Sequence, residues 1–157
     1  MKFNISKMDI FKSLSHLIGI VDKKNSLPIL SNVLIEAKNN NLYLSATDMD
    51  ISIVEKLSCD ILEDGSTTVN AQLFYDIIRK VDDNTEVEII SNNGKIMTLR
   101  AGGSRFSLSC LPKEDFPIID QNNDGININI YSNILFKLID KTKFAISNEE
   151  TRYFLNG

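Results

Sequence analysis

Residues 67–110, TTVNAQLFYDIIRKVDDNTEVEIISNNGKIMTLRAGGSRFSLSC, contain the pattern that decides the fold. Apolar spacing typical of a helix occupies 72–81, and shorter runs typical of strands lie on either side. Turn residues at 92–94 and 102–103 separate the last three runs. The stretch therefore predicts a strand, a helix and three further strands, at 67–70, 72–81, 87–90, 96–99 and 105–110.

The same order of elements occurs earlier in the chain. There the pattern predicts a strand at 2–6, a helix at 8–18 and strands at 33–37, 42–46 and 51–57. The apolar residues assigned to that helix are Met8, Phe11, Leu14, Leu17 and Ile18. A repeat of this length indicates two similar units packed side by side, since neither small sheet can bury its apolar face alone. We therefore predict an α+β fold of duplicated βαβββ units in a first domain at 1–120.

The region after the second unit has the composition of a linker and then starts the pattern again. Residues 121–125, QNNDG, are polar and turn-forming. Beyond them Ile126, Ile128 and Ile130 alternate with asparagines, which predicts a strand, and a helix at 133–144 and a strand at 151–155 follow. We expect 126–157 to be the truncated start of a second domain, so that the chain is a fragment of something longer.

The composition excludes several classes of protein. The chain has 157 residues, of which 43% are hydrophobic and 24% charged, and this is globular rather than disordered. No apolar run approaches the roughly 20 residues of a membrane helix, and the N-terminus has no signal-peptide pattern, so we expect a cytoplasmic protein. The net charge of −4 argues against a surface that is basic all round, although one basic face remains possible.

The candidate catalytic and metal-binding residues have simpler interpretations. Asp48 and Asp50 could hold a metal, but paired carboxylates near a turn are commonly solvated, and His16 falls on the polar face of its helix. Gly102–Gly103 fits a tight turn, because no phosphate-binding motif surrounds it. Cys59 and Cys110, in a chain with one histidine, cannot build a zinc site, and we expect both to be reduced and buried. No catalytic residue, metal or cofactor is therefore predicted.

The predicted helices carry basic residues opposite their apolar faces. These are Lys7, Lys12, Arg79, Lys80, Lys137, Lys141 and Lys143. If all helices lie on one side of a continuous sheet, these side chains form a face that attracts phosphates without reading bases. A solvated helix exterior explains the same spacing more simply, because Asp9, Asp76 and Asp140 dilute the positive charge.

Four motifs, in matching order and spacing, resemble the bacterial DNA polymerase III beta subunit family, the sliding clamps. They are LPILSN at 27–32, ATDMD at 46–50, RFSLSCLP at 105–112 followed by DFP at 115–117, and TRYFLNG at 151–157. The resemblance implies the clamp fold and a homodimeric ring around duplex DNA that acts in DNA replication. It implies a non-catalytic subunit of the DNA polymerase III holoenzyme. The implied partners are double-stranded DNA, the polymerase catalytic subunit, the clamp loader and other proteins with clamp-binding motifs.

The resemblance also implies roles for individual residues. Lys24, in a loop that approaches DNA, stands where the family often has arginine, whereas Glu149 stands at a second DNA-facing position and would repel phosphate. The full set expected to face DNA is Lys24, Lys12, Arg79, Lys80, Lys137 and Lys141. Arg105, Phe106 and Leu108 match the edge strand of the dimer interface. Arg152, Tyr153 and Leu155 match part of the pocket that binds partner peptides.

Two other functions are compatible with the residues. A clamp-type fold could serve as a protein-interaction module that never forms a ring, and the oligomeric state would distinguish it from a clamp. A metal-dependent hydrolase using Asp48 and Asp50 would instead require a divalent cation for activity.

Overall fold

The structure is a computed structural model that describes residues 1–21, 27–92, 94–117 and 128–147. The chain divides into two compact units, Met1–Ile119 and Asp120–Gly157. Within the described residues, no helix is both long and apolar enough to cross a membrane.

The described residues of the first unit form two α-helices and nine strands, with short 3-10 turns at Pro28–Ser31 and Lys113–Asp115. The predicted order of strand, helix and three strands occurs twice, and one short strand between the repeats, β5, was not predicted. The elements are β1 Lys2–Ser6, α1 Lys7–Leu17, β2 Asn32–Lys38, β3 Asn41–Thr47, β4 Ser52–Ser58, β5 Asp60–Glu63, β6 Gly65–Asn70, α2 Ala71–Lys80, β7 Glu86–Ser91, β8 Ile96–Ala101 and β9 Ser104–Leu111.

Both helices begin where a strand ends on a capping residue. The Ser6 hydroxyl accepts a hydrogen bond from the backbone N–H of Met8 at 3.2 Å, and the Asn70 side-chain oxygen accepts one from Leu73 at 2.9 Å. Each cap satisfies an N–H that has no partner inside its helix. Each helix therefore begins directly after a strand, without a loop between them.

All strand pairs in the described residues are antiparallel, and the two βαβββ repeats of the first compact unit are interleaved. The strand order is β4-β3-β2-β6-β9-β8-β7-β1-β5. β1, the first strand of the first repeat, pairs with β7 of the second repeat. β6, the first strand of the second repeat, pairs with β2 of the first. The repeats therefore exchange their first strands, in addition to lying side by side as expected.

The last strand of each βαβββ repeat links the two halves of the sheet. β9 pairs with β8 at 104–109 and then with β6 at 110–111. In the first repeat the corresponding segment is divided at Cys59 into two strands. β4 pairs with β3, and β5 pairs with β1. Cys59 and Cys110 occupy equivalent places in these two segments. Both are half-buried rather than fully buried as expected, because the strand changes partners there.

One continuous core joins both helices to the sheet. Its fully buried members come from α1, from α2 and from the inward faces of the strands, so both helices pack against the same layer. Its large members include Phe3, Ile10, Leu14, Leu17, Ile35, Leu44, Phe74, Ile78, Ile89 and Met97. Met8 does not belong to it: its side chain is 61% exposed, and Ile10 is buried instead. Ile10, Leu14 and Leu17 form the face of α1 that packs against the sheet. Met8 lies outside that face and is therefore exposed.

The described part of the second unit is one exposed helix. α3 spans Ser132–Thr142 and is followed by a short 3-10 turn at Lys143–Ala145, close to the predicted helix. Residues 128–131 form no strand, contrary to the alternation of Ile128 and Ile130, because a strand requires a hydrogen-bonded neighbour and the described residues offer none. Residues 126–127 and the predicted strand at 151–155 lie outside the described residues.

Substitutions on opposite faces of α2 test this core. We expect Phe74→Ala to lower the free energy of unfolding by about 3–5 kcal/mol, because Phe74 is fully buried and its removal leaves a cavity. Leu73→Ala should change it by less than about 1 kcal/mol, because Leu73 is 49% exposed. Urea unfolding followed by circular dichroism measures both values, and equal losses would contradict the assigned helix face.

Candidate nucleic-acid and subunit interfaces

The two helices of the first unit meet through a pair of aromatic rings. Phe11 of α1 and Tyr75 of α2 have ring centroids 5.4 Å apart and planes inclined by 19°. Stacking of this kind contributes beyond simple apolar burial. The ring pair fixes how the neighbouring basic residues of the two helices are placed.

Lys7 is not part of an exposed basic face. Its residue is 6% exposed, its ammonium group forms an ion pair with Asp83, and its Nζ lies 4.8 Å from the Phe11 ring centroid. Its backbone N–H donates to the carbonyl of Thr85, which holds the start of α1 against the loop after α2. A buried ammonium group requires such a partner, so Lys7 joins the two elements instead of facing solvent.

Lys12, Arg79 and Lys80 are exposed as predicted. The Arg79 guanidinium lies 3.1 Å from Asp76 Oδ1, and its Cζ lies 5.7 Å from the centroid of the Tyr75 ring. Within the described part of the chain, neither Lys12 nor Lys80 has an ion-pair partner. We call the exposed side of the two helices that carries Lys12, Arg79 and Lys80 the α1–α2 surface. Among the described residues its two lysines are without ion-pair partners, and its arginine is held by Asp76 and Tyr75. Such cations are suitable for phosphate contacts.

The remaining basic candidates lie in the second unit or outside the described residues. Lys137 and Lys141 are exposed on α3 of the second unit, while Lys143 forms an ion pair with Asp140 at 2.7 Å. Lys24 and Glu149 lie outside the described residues. The roles of these residues in DNA binding stay predictions.

The solvent-facing side of the sheet holds its cations differently. Glu88 on β7 accepts from Lys2 at 3.1 Å and from Arg100 at 3.0 Å. The hydrogen bond from Lys2, with that from Arg100, lowers the pKa of the half-buried Glu88 carboxyl below its ordinary value. Lys2 and Arg100 are thus neutralised by a carboxylate, whereas Lys12 and Lys80 have no such partner among the residues that the structure describes.

The edge of β9 carries the three residues expected at a subunit interface. Arg105 is exposed and Phe106 is half-buried, but Leu108 is only 2% exposed and belongs to the core. Strand alternation explains the difference, because even-numbered positions of β9 face inward. Leu108 therefore anchors β9 to the core, and its side chain is not available as an exposed contact.

The backbone of β9 has one open side. Within the described residues, 104–109 pair only with β8, since β6 meets β9 at 110–111. The Cys110 N–H donates to the Lys95 carbonyl on the β8 side, at 2.8 Å. Because hydrogen-bonding directions alternate along a strand, the N–H of Ser107 points to the open side. This edge can accept a further strand.

A groove of about 180 Å³ lies beside this edge, between the end of α2 and the β8–β9 turn. Its apolar lining includes Ile77 of α2, Val81 directly after α2 and Phe106 of β9, and Lys80, Asp82 and Ser104 supply polar groups. The sequence analysis did not identify Ile77 and Val81 as groove residues. Ala71, Phe74 and Ile78 are the buried residues of α2, so Ile77 and Val81 are apolar residues beyond those that the buried face needs. That surplus was the available signal.

The other polar candidates have structural roles. Asp48 Oδ1 accepts the backbone N–H groups of Asp50 and Ile51, at 3.0 and 2.7 Å, and thereby closes the β3–β4 turn. His16 Nδ1 lies 2.8 Å from Glu55 Oε1 on the surface, and Gly102 adopts a φ of +56° in the β8–β9 turn. The described residues contain no cluster of three His, Cys, Asp or Glu arranged for a metal ion. Arg152, Tyr153 and Leu155, predicted for the peptide pocket, lie outside the described residues.

The first compact unit consists of two interleaved βαβββ repeats, with both helices on one antiparallel sheet and an open edge at β9. This arrangement defines a domain of the DNA-clamp fold. A family model described as "DNA polymerase III beta subunit, N-terminal domain" matches residues 1–120. The chain belongs to the DNA polymerase III beta subunit family.

Individual relatives agree with this assignment. The beta sliding clamp of Caulobacter vibrioides is 40% identical over 158 residues, and that of Vibrio cholerae is 35% identical; each match covers the whole of this chain but 42% and 43% of the relative. Among solved structures, the sliding clamp of Bartonella birtlesii bound to griselimycin superposes with a TM-score of 0.95 at 41% identity, covering 42% of that chain. The chain thus spans about two-fifths of the length of these relatives.

The thiols offer a test of the placement of the last strands. Burial raises the pKa of the Cys110 thiol and, together with the charge of Asp60, that of Cys59. A raised pKa leaves less thiolate at neutral pH, so alkylation by iodoacetamide should be slower in the folded chain than in urea, and should accelerate as pH rises towards the raised pKa values. Mass spectrometry of timed samples measures both rates. Equal rates in folded and unfolded protein at neutral pH would contradict the burial.

Proposed function

We propose that this chain is part of a sliding clamp, a ring that encircles duplex DNA and tethers the replicative polymerase. The main support is membership of the beta subunit family together with an α1–α2 surface whose exposed cations can contact phosphates. A ring that holds DNA by topology does not require tight or sequence-specific contacts. Its benefit to the polymerase is a high effective concentration at the template.

The proposed DNA contact is electrostatic and independent of base sequence. Lys12, Arg79 and Lys80 present positive groups on the helices, while the chain as a whole has a net charge of −4. A protein of negative net charge repels DNA except where cations are concentrated, which favours loose contact inside a ring. Lys24, Lys137 and Lys141 are proposed to contribute further phosphate contacts.

Ring closure is proposed to use the open side of β9. A strand from a second subunit can add to residues 104–109, and an apolar side chain can enter the groove beside Phe106. Backbone hydrogen bonds would then set the register, and the groove would supply apolar burial. The assembly proposed is a homodimer.

The chain is proposed to be non-catalytic and cytoplasmic, as the family implies. The polymerase catalytic subunit, the clamp loader and other proteins with clamp-binding motifs are its proposed partners. Their peptides would bind at a pocket to which Arg152, Tyr153 and Leu155 contribute. These assignments depend on family membership and not on contacts within the described residues.

The alternative is an interaction module that shares the clamp fold without forming a ring. The exposed apolar residues of α3 favour it, since an unpaired amphipathic face is suited to a protein partner. Such a module would bind proteins but would not be retained on circular DNA.

Ser107→Pro tests the open strand edge. Proline removes the outward N–H at Ser107 without removing a hydrogen bond to β8, so folding should persist while dimerisation weakens by at least about tenfold. The host is a chimera in which residues 1–157 replace the matched part of the Caulobacter vibrioides clamp. Analytical ultracentrifugation measures the dimer, and Ser107→Ala, which keeps the N–H, should behave as wild type. A proline variant that dimerises normally would exclude this edge.

Encirclement is tested with the same chimera on DNA. After loading onto closed circular duplex, the protein should remain bound through gel filtration and be released when the DNA is cut once. Ser107→Pro serves as a matched variant with a weakened ring, and should be lost from both DNA forms. Equal release of the wild-type chimera from circular and linear DNA would exclude the ring and favour the interaction module.

A further inference from the structure

A continuous series of ring contacts crosses the seam between α1 and α2. Lys7 lies over the Phe11 ring at 4.8 Å, Phe11 stacks on Tyr75 at 5.4 Å, and the Arg79 guanidinium carbon lies 5.7 Å from the Tyr75 ring. The two cations at the ends of this series differ in exposure. Lys7 is buried and paired with Asp83, whereas the Arg79 side chain is 55% exposed.

Arg79 is therefore the cation of this series that DNA can reach. Its guanidinium is held on one side by the Tyr75 ring and on another by Asp76 Oδ1. Asp76 is itself oriented, because its Oδ2 accepts a hydrogen bond from the Gln72 side chain at 3.0 Å. A guanidinium has five N–H donors, so the contact with Asp76 leaves others available for a phosphate oxygen.

We propose that Tyr75 is a positioning residue for DNA binding, which holds the Arg79 guanidinium in place for a phosphate contact. This inference rests on the proposed function. An arginine that is already ordered loses less side-chain freedom when it binds than a lysine without a support. The Tyr75 ring supplies that support through a cation–π contact, which is within the usual limit of about 6 Å.

The placement of Tyr75 suits this role better than a purely structural one. Its ring is half-buried: one contact is with Phe11 in the seam, and the other is with the exposed guanidinium. Lys12 and Lys80, in contrast, have no ring contact among the described residues. Arg79 is thus expected to contribute more per charge than either lysine.

The test uses the 157-residue chain and a short duplex of mixed sequence, titrated at several salt concentrations. Arg79→Gln should reduce the slope of log Kd against log salt by about 1, which reports the loss of one phosphate contact. Tyr75→Leu should weaken binding about two- to fivefold with the slope nearly unchanged, because the charge remains but its support is lost. Tyr75→Phe, which keeps the ring, should restore wild-type affinity.

Phe11→Leu is the matched control for helix packing. It removes the stacking in the seam but leaves the Tyr75 ring beneath Arg79, so its affinity should stay near wild type. An NMR signal from the Arg79 side-chain N–H reports the ring contact directly. It should show a ring-current shift in wild type, Tyr75→Phe and Phe11→Leu, and lose that shift in Tyr75→Leu.

The possible failures are distinguishable. If Arg79→Gln weakens binding but Tyr75→Leu does not, or if Phe11→Leu weakens it as much as Tyr75→Leu, the positioning role is wrong while the DNA contact stands. If the wild-type chain shows no salt-dependent binding to the duplex, both this inference and the proposed DNA-facing surface are wrong.

Discussion

The exchange of first strands between the two βαβββ units is the constraint on which the rest of the structure depends. β1 completes the sheet of the second repeat and β6 completes that of the first, so each repeat needs the other for its backbone hydrogen bonds. Unpaired backbone groups inside a core are costly, and neither repeat is therefore expected to fold alone. The single core that spans both helices follows from the same exchange.

The helices inherit their positions from these exchanged strands. Ser6 and Asn70 end β1 and β6 and cap α1 and α2, so fixing the strands also fixes where each helix begins. The two helices are thereby brought together at Phe11 and Tyr75. A basic surface shared by two helices can exist only because the sheet beneath them is continuous.

The open edge and the exposed helix show where this architecture is incomplete within the described residues. β9 has unused hydrogen-bonding groups beside a groove of mixed polar and apolar lining, and α3 exposes its apolar residues. Such features are costly in an isolated domain and are typical of subunit and domain contacts. They agree with a chain that spans about two-fifths of its relatives' length.

The sequence by itself determined the order of strands and helices in the two repeats apart from β5, the inward and outward alternation within their strands, and the motifs of the family, because these depend on local spacing. It also located Lys12, Arg79 and Lys80 on exposed helix faces. Only the tertiary structure decided which strands pair between the two repeats, since periodicity and turn residues indicate a hairpin but not a partner distant in the chain. The burial of Lys7 against Asp83 and the support of Arg79 by Tyr75 follow from that pairing. Each joins residues whose proximity depends on packing, which no local pattern encodes.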